Sequence, residues 1–404
     1  MTWVAMKVRA TAKQWLASNV IQVSHTLFIT NDFPPRPGGI QTFVYELVRQ
    51  FPSSDVTVIS STWDGADQFD QSHNFEVVRS NTKVLLPTRE TLSLARKIIV
   101  AKNVKTVIFG AAAPLALLAK PLRALGVERI IAFTHGHEGG WAKTPVTKQA
   151  LRKIGNDVDV LTYLTQYTKA EISKGLSSDA VAKMRQLLPA VDPQFFNPGN
   201  QVAGNILREQ VGFAGRPTIV SVSRLMARKG HDELIKAMPE LKKLIPGIAL
   251  LIVGEGSYRN NLENLIIKLD LELDVHLTGK VPYLELPAWY GAGDVFAMPC
   301  RTRKAGWDVE GLGIVYLEAS ATGLPVIAGD SGGAPEAVAE GKSGFVVGGT
   351  DQKALIEKIH LLFKDEKKRK EMGEFGRRWI LDNWTWEKPF ARLQKLIAGA
   401  DPDN

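Results

Sequence analysis

The sequence contains a single cysteine, Cys300, in 404 residues. One thiol excludes an intramolecular disulfide framework and is typical of a protein in a reducing compartment. The chain also lacks a run of about 18 consecutive apolar residues, the length that a membrane-spanning helix needs. The sequence therefore predicts a fold that is held by packing alone and does not span a membrane.

Several motifs that define other classes of protein are missing as well. No G-x-G-x-x-G follows a strand-like segment, so a hydride-transferring dinucleotide enzyme is poorly supported. The seven histidines are scattered, no Asp-x-Asp lies at a strand end, and the HGHE segment at 135–138 lacks the second cluster that a metal site needs. No aromatic-basic repeat favours nucleic-acid binding. We predict no metal site and no nucleic-acid partner.

What the chain does have is enough apolar sequence for two substantial cores. Hydrophobic residues make up 45% and charged residues 23% of it, and its length suits two domains of roughly 150–200 residues each. The net charge of +8 favours an anionic partner, which could be a nucleotide, a nucleic acid or an acidic lipid. Charge alone does not choose among these.

Short β-branched segments alternate with amphipathic segments from residue 25 onward, which predicts parallel sheets covered by helices on both faces, an α/β fold. A Pro/Gly/Asn-rich stretch at 189–200 interrupts the alternation and is the best linker candidate. We predict a basic extension at 1–24 outside the fold, with a short membrane-touching arm as the alternative, and a first domain at 25–192. Strands are predicted at 25–31, 56–61, 105–110, 129–136, 160–165, 184–190, 218–224, 249–256, 275–279, 294–300, 324–330 and 344–347.

The segment GDSGGAPE at 329–336 resembles the nucleophile loop of chymotrypsin-like proteases. Here, however, it follows a predicted strand of an α/β sheet, and Ser331 lacks the G-x-S-x-G spacing of an α/β-hydrolase elbow. A Gly-rich turn before a helix instead offers free backbone N–H groups to an anion. We therefore do not predict that Ser331 is a nucleophile.

Two other strand ends have the same anion-binding character. Gly38 and Gly39 follow the first strand and allow close approach of the backbone to a ligand, with the positive end of the next helix beside them. Arg224 ends a strand and Lys229 precedes a helix, so both cations are able to converge on one phosphate group.

The segment DVEGLGIVYLEA combines a helix N-terminus with two carboxylates. Gly311 and Gly313 would expose backbone N–H groups to a phosphate, and Glu318 would bind ribose hydroxyls. A carboxylate at Glu310, beside an anion site, is unfavourable unless it contacts a neutral polyol. A sugar fits that requirement.

Taken in order, Ser-Arg-x4-Lys-Gly from Ser223, Val-Gly-Glu-Gly at 253–256, Glu-x-Leu-Gly-Ile-Val-x-x-Glu-Ala from Glu310 and Gly-Gly-x-Pro-Glu at 332–336 resemble family 4 of the retaining glycosyltransferases, GT4. The resemblance covers roughly residues 25–400. It implies the GT-B architecture, in which two Rossmann-like domains face each other across a cleft. It also implies a nucleotide-sugar-binding second domain at 193–380 and a C-terminal helix within 381–404 that crosses back to the first domain.

The resemblance further implies roles for single residues. Arg224 and Lys229 would hold the donor pyrophosphate, Glu318 the ribose and Glu310 the transferred sugar, while Gly39 would meet the phosphate from the first domain. The predicted catalytic residues are His135, Arg224, Lys229 and Glu310. Other predicted donor-site residues are Gly38, Gly254, Val281, Gly311, Leu312, Gly313 and Ile314.

The acceptor side of the cleft is predicted to include Asp32 and His137. The resemblance places His135 at a strand end that faces the sugar, but His137 is the alternative, and their spacing does not decide between them. One departure from the family pattern concerns the hinge, where the usual Asn-Gly-Val-Asp reads Pro-Ala-Val-Asp at 189–192. A turn with positive φ at Ala190 would be costly, so the hinge geometry is predicted to differ.

Within the family, the loops NDFPPRPGG, HGHEGGWAKTP and CRTRKAGWDVEGLGIVYLEA look most like phosphatidylinositol mannosyltransferases of mycolic-acid-containing bacteria. That likeness implies transfer of mannose from GDP-mannose to a phosphatidylinositol mannoside by same-face substitution, without a metal cofactor. Basic residues of the first domain favour docking on an anionic bilayer, at the cytoplasmic face of the plasma membrane. These residues are Arg89, Arg96, Lys97, Lys102, Lys120 and Arg123.

Three alternatives stay open at this point. The chain could use another nucleotide sugar and acceptor, it could be a nucleotide-sugar epimerase, or it could be a non-catalytic α/β binding protein. An epimerase would need acid/base carboxylates and a histidine in the cleft. A binding protein would not need Glu310 beside a phosphate site.

Overall fold

The computed structural model describes residues 25–403, which form two parallel β-sheets flanked by helices. The first sheet has seven strands in the order β3-β2-β1-β4-β5-β6-β7, and the second has six in the order β10-β9-β8-β11-β12-β13. The predicted extension at 1–24 lies outside the described residues. The strands are β1 (Thr26–Thr30), β2 (Val56–Ser61), β3 (Glu76–Ser80), β4 (Thr106–Phe109), β5 (Arg129–Ala132), β6 (Val160–Tyr163), β7 (Met184–Gln186), β8 (Thr218–Val222), β9 (Ala249–Val253), β10 (Val275–Leu277), β11 (Val295–Met298), β12 (Val326–Gly329) and β13 (Gly344–Val347).

Helices cover both faces of each sheet, as the alternation of segments predicted. They are α1 (Gly39–Val48), α2 (Ala66–Gln71), α3 (Arg89–Lys102), α4 (Ala119–Arg123), α5 (Glu138–Trp141), α6 (Pro145–Asp157), α7 (Gln166–Ser173), α8 (Ser178–Ala182), α9 (Gln201–Gln210), α10 (His231–Leu244), α11 (Arg259–Lys268), α12 (Leu286–Gly291), α13 (Ile314–Ala321), α14 (Gln352–Lys364), α15 (Glu366–Asn383) and α16 (Glu387–Ile397).

Each sheet separates two hydrophobic clusters because successive side chains of a strand point to opposite faces. In β1, Leu27 and Ile29 join one cluster and Phe28 joins the other. In β9, Leu251 joins one cluster of the second domain and Leu250 joins the other. Strands buried on both faces read as continuous apolar runs, which is why sequence patterns located them. The predicted fold class, two facing Rossmann-like domains, is confirmed.

Strand β3 was not predicted. It lies at the edge of the first sheet, where it pairs only with β2, and its residues Glu76–Ser80 are exposed or half-buried. An edge strand has one open side, so its sequence EVVRS keeps polar residues and lacks the apolar run of a central strand.

The linker and the last helix connect the two domains. Ala190 is buried and does not adopt a positive φ, so the chain makes no left-handed turn at this position. The difference in hinge geometry from the family pattern stays a prediction. The backbone N–H of Val191 donates to the carbonyl of Trp384 at 2.8 Å. Helix α16 then packs Leu393 into a cluster of the first domain. The predicted boundary between 380 and 381 falls inside α15, and the domain boundaries as such stay predictions.

Candidate active site

A cavity of about 780 Å³ lies between the two domains, at the carboxyl ends of the strands. Loops that follow parallel strands meet at one edge of a sheet, so two facing sheets bring two sets of loops together. The turn at Gly39 and the HGHE segment line the cavity from the first domain, and the loop at 306–314 lines it from the second. The predicted site residues in the lining are Gly39, His135, His137, Arg224, Glu310, Gly311, Leu312, Gly313 and Ile314.

Lys229 and Glu310 form a buried ion pair beside this cavity. The Nζ atom of Lys229 lies 2.6 Å from Oε2 of Glu310. Burial by itself would raise the pKa of Glu310, but the positive charges of Lys229 and Arg228 outweigh it and hold the pKa below its usual value. Glu310 is therefore ionised at neutral pH. The expectation that only a sugar could accommodate this carboxylate was incomplete, because Lys229 neutralises it across 81 residues of sequence.

Two arginines add positive charge to the same wall. Arg228, which was not predicted, places its Nε atom 3.8 Å from Oε2 of Glu310, and among the described residues this Nε has no hydrogen-bond partner. The sequence signal that could have identified Arg228 as a site residue is its position directly before Lys229. Arg224 also lines the cavity, is exposed, and has no side-chain partner within residues 25–403. A free guanidinium at this place is available to an anion.

The N-terminus of helix α13 supplies a further positive pole. The helix begins at Ile314, so Gly311 lies in the preceding loop and not in the first turn. Gly313 caps the helix with φ 81°, and a side chain there would collide with the ring of Tyr316. The first turn contains no acidic residue. Ile314, the first residue of α13, lines the cavity, so the positive end of the helix lies at the cavity wall without a carboxylate in its own first turn.

Glu318 lies deeper on α13 and does not line the cavity. Its side chain is buried, and Oε2 accepts a hydrogen bond from the hydroxyl of Tyr290 at 2.6 Å. Burial raises the pKa of Glu318 to about 7, although the bond from Tyr290 opposes the rise. This carboxyl group is therefore half protonated near neutral pH.

The buried Glu318 predicts a pH dependence of stability. The unfolded chain releases this proton near pH 4.5 and the folded chain near pH 7, so between these values the folded state binds more protons and stability falls as pH rises. The loss amounts to about 3 kcal/mol across the window. Urea unfolding at pH 5 to 8 should show that Glu318→Gln removes this fall. Parallel profiles of the two proteins would contradict the assignment.

The HGHE segment is organised by its glutamate. Glu138 is fully buried, and its Oε2 accepts hydrogen bonds from the backbone N–H groups of His135 and Gly136 at 3.0 and 3.1 Å. Nε2 of His135 donates to the carbonyl of Gly110 at 2.7 Å, and burial lowers the pKa of His135. His135 is thus neutral and held in place, whereas His137 is exposed. In the described part of the chain no three His, Cys, Asp or Glu side chains are grouped as metal ligands would be.

Six predicted site residues do not line the cavity: Lys229 and Glu318, described above, and Asp32, Gly38, Gly254 and Val281. Oδ1 of Asp32 accepts a hydrogen bond from Gln41 at 2.7 Å. Gly38 caps helix α1. Gly254 donates its backbone N–H to the carbonyl of Gly279, and Val281 packs against the core of the second domain.

Ser331 is fully buried, which excludes attack on a substrate in the cavity. Its Oγ accepts the backbone N–H of Glu310 at 3.3 Å and lies 3.1 Å from Oγ1 of Thr302. The side chain thus supports the loop, in addition to the backbone contacts that were predicted.

For Ser331→Ala we expect transfer activity to stay within about 10-fold of normal and stability to fall by about 1–2 kcal/mol, because a buried N–H loses its partner. Activity assays and urea unfolding measure both. Ser343→Ala is a matched control, since Ser343 is also fully buried and accepts the N–H of Ala339 at 2.9 Å. A loss of activity beyond about 100-fold in Ser331→Ala alone would restore a catalytic role to the hydroxyl.

Comparison with known proteins identifies the family. Residues 37–195 match Glycosyltransferase Family 4, and residues 205–379 match Glycosyl transferases group 1. A GDP-mannose-dependent alpha-(1-6)-phosphatidylinositol monomannoside mannosyltransferase of Mycolicibacterium smegmatis is 47% identical over 92% of this chain and 98% of its own length. The chain belongs to glycosyltransferase family 4. The family prediction and the enzyme class are thereby confirmed.

Other relatives of this glycosyltransferase agree. A GDP-mannose-dependent monoacylated alpha-(1-6)-phosphatidylinositol monomannoside mannosyltransferase of Corynebacterium glutamicum is 42% identical over 92% of this chain and 97% of its own length. The crystal structure of Anabaena Alr3699/HepE in complex with UDP has a TM-score of 0.77 at 18% identity and covers 93% of this chain and 100% of that one. The structural likeness supports the fold alone. Within residues 25–403, no helix of this glycosyltransferase has the length and apolar character needed to cross a bilayer.

Proposed function

We propose that this glycosyltransferase moves mannose from GDP-mannose to a phosphatidylinositol mannoside, with retention of configuration at the anomeric carbon. The observation that carries the proposal is the near full-length identity of 42% to 47% with relatives that bear this activity in their names. The cationic wall of the cavity supports it, because a nucleoside diphosphate is the leaving group that such a wall would stabilise.

Departure of GDP places negative charge on its terminal phosphate. Arg224, Arg228, Lys229 and the N-terminus of α13 would receive that charge, each as a preorganised donor worth about 3 kcal/mol. Since these groups are all supplied by the chain, the proposed reaction needs no divalent metal and no other cofactor. No nucleic acid takes part. The acceptor oxygen would attack from the face that the leaving group vacates.

The remaining site residues are assigned by their surroundings. Glu310 would accept hydrogen bonds from the hydroxyls of the transferred sugar, and Lys229 would then be shared between this carboxylate and the phosphate. The contact of Glu318 with the ribose stays a prediction, because this side chain is buried and does not line the cavity. We assign the sugar contact to His135 rather than His137, because His135 lines the cavity with its Nε2 held by Gly110 at 2.7 Å, and no residue of the described range 25–403 forms a hydrogen bond with its Nδ1.

We propose that the first domain binds the membrane at its cytoplasmic face, as a peripheral protein. Three cations of helix α3 are exposed, namely Arg89, Arg96 and Lys97. Two apolar side chains nearby in the sequence are exposed as well, Leu86 with 52% and Val100 with 71% of its surface accessible to solvent. Such a mixture of cations and apolar side chains suits an anionic bilayer. Of the other predicted basic residues, Lys102 and Arg123 are already paired with Glu76 and Asp159, and Lys120 is exposed.

One assay tests the donor, the acceptor and the membrane together. GDP-mannose, GDP-glucose and UDP-glucose, each radiolabelled in the sugar, are incubated with the enzyme and vesicles that contain phosphatidylinositol monomannoside, phosphatidylinositol or neither. We expect label in lipid only with GDP-mannose and the mannoside, and flotation of the enzyme with anionic vesicles but not with zwitterionic ones. Transfer from a UDP-sugar, or conversion of the donor without an acceptor, would overturn the proposal.

A further inference from the structure

Glu336 connects the two domains beside the cavity. It belongs to the second domain, yet its carboxylate accepts hydrogen bonds from backbone N–H groups of the first, at Gln166 (3.1 Å) and Tyr167 (3.3 Å). These two residues begin helix α7, whose first N–H groups have no partner within the helix. The negative charge thus lies at the positive end of the α7 dipole.

The cap that Glu336 provides differs from local helix caps in how far the capping residue lies from the helix in the sequence. Helices α14 and α15 are capped by Asp351 and Asp365, each the residue directly before its helix. At α7, Thr165 caps locally, and Glu336 adds a second acceptor from 170 residues away. A local cap stays in place when the domains separate, whereas the bonds of Glu336 form only when they are closed.

The start of helix α7 also contacts the loop that carries Glu310. Oγ1 of Thr165 donates to the carbonyl of Gly311 at 3.2 Å across the domain boundary. Gly333 donates its N–H to the carbonyl of Glu310 at 2.9 Å, and a side chain at Gly333 would collide with both Gly311 and Thr165. Glu336 follows Gly333 by three residues. The contacts of Glu336 with the first domain therefore lie in the same segment that is hydrogen-bonded to the Glu310 loop.

We propose that Glu336 is a positioning residue, an interdomain latch that stabilises the closed arrangement and aligns the acceptor side with the Glu310 loop. The inference rests on the proposed transfer reaction for its effect on rate, but its effect on domain closure is independent of the donor. Glu336 itself does not line the cavity. Because a small misplacement of reacting groups costs about 100-fold in rate, loss of the latch should act on turnover.

The test uses Glu336→Ala and Glu336→Gln, with Glu340→Ala as the matched control. Glu340 lies four residues further on and accepts the N–H of Val346 at 2.6 Å, inside its own domain. We expect kcat/KM for mannose transfer to fall by about 10- to 100-fold in Glu336→Ala, with a smaller loss in Glu336→Gln, which keeps one acceptor oxygen. The Kd for GDP should change by less than about 3-fold, because the cations that hold it are untouched.

Small-angle scattering distinguishes an effect of Glu336 on domain closure from a general loss of stability. Without any nucleotide, Glu336→Ala should have a larger radius of gyration than the wild type, while Glu340→Ala should not. Equal radii, or the same loss of activity in both variants, would overturn the latch. Absence of mannose transfer by the wild-type enzyme would instead overturn the proposed function, and the scattering comparison would still decide whether Glu336 holds the domains together.

Discussion

Replacement of Lys229 by methionine is expected to lower kcat/KM for mannose transfer by about 100- to 1000-fold, the effect of losing one preorganised donor to a developing negative charge. The substitution also removes the cation 2.6 Å from the buried carboxylate of Glu310 and leaves Arg228 at 3.8 Å as its nearest compensation. Steady-state kinetics and calorimetric titration of GDP measure the two consequences. Arg224→Ala should act in the same direction, because its guanidinium lines the cavity.

A matched control separates this effect from the loss of an ion pair as such. Lys236 also pairs with carboxylates, at 2.7 Å to Glu233 and 3.4 Å to Asp232, but unlike Glu310, the partner of Lys229, neither of these carboxylates lines the cavity. Lys236→Met should leave kcat/KM within about 2-fold of normal. Near-normal transfer by both Lys229→Met and Arg224→Ala, with circular dichroism unchanged, would refute a phosphate-binding role for this wall.

Glu310→Gln is expected to weaken transfer by about 10- to 1000-fold while GDP binds as well as before or more tightly. A neutral amide forms weaker hydrogen bonds to sugar hydroxyls than an ionised carboxylate does. At the same time the substitution removes a negative charge near the phosphates and frees Lys229 from its present partner. Misfolding would lower both the transfer rate and the affinity for GDP, so it cannot produce a lower rate together with an equal or higher affinity.

A radiolabelled-mannose assay and GDP calorimetry on the same preparation decide this prediction. The double variant Lys229→Met/Glu310→Gln completes the comparison, because it removes both charges of the pair together. If GDP affinity fell together with activity in Glu310→Gln, the carboxylate would serve chiefly to hold Lys229 for the nucleotide. In that case the assignment of Glu310 to the sugar would be wrong.

The amino-acid sequence by itself determined the α/β class and the family. Strand β2 was predicted at 56–61, where the structure has it, because its β-branched residues are a strand signal that is visible locally. The loops proposed to bind phosphate were equally visible, since glycines and cations at strand ends are short-range patterns. Edge strand β3 was not predicted from the sequence, because the open side of an edge strand permits polar residues.

Only the tertiary structure decided how the charged groups are paired. Lys229 meets Glu310 across 81 residues and Glu336 reaches Gln166 across 170, and no local pattern encodes such distances. The same holds for Glu318, whose pKa of about 7 results from burial beneath the cavity. A side chain's charge state and partners depend on which surfaces the two domains bring together, because burial and Coulomb interaction act through space and not along the chain.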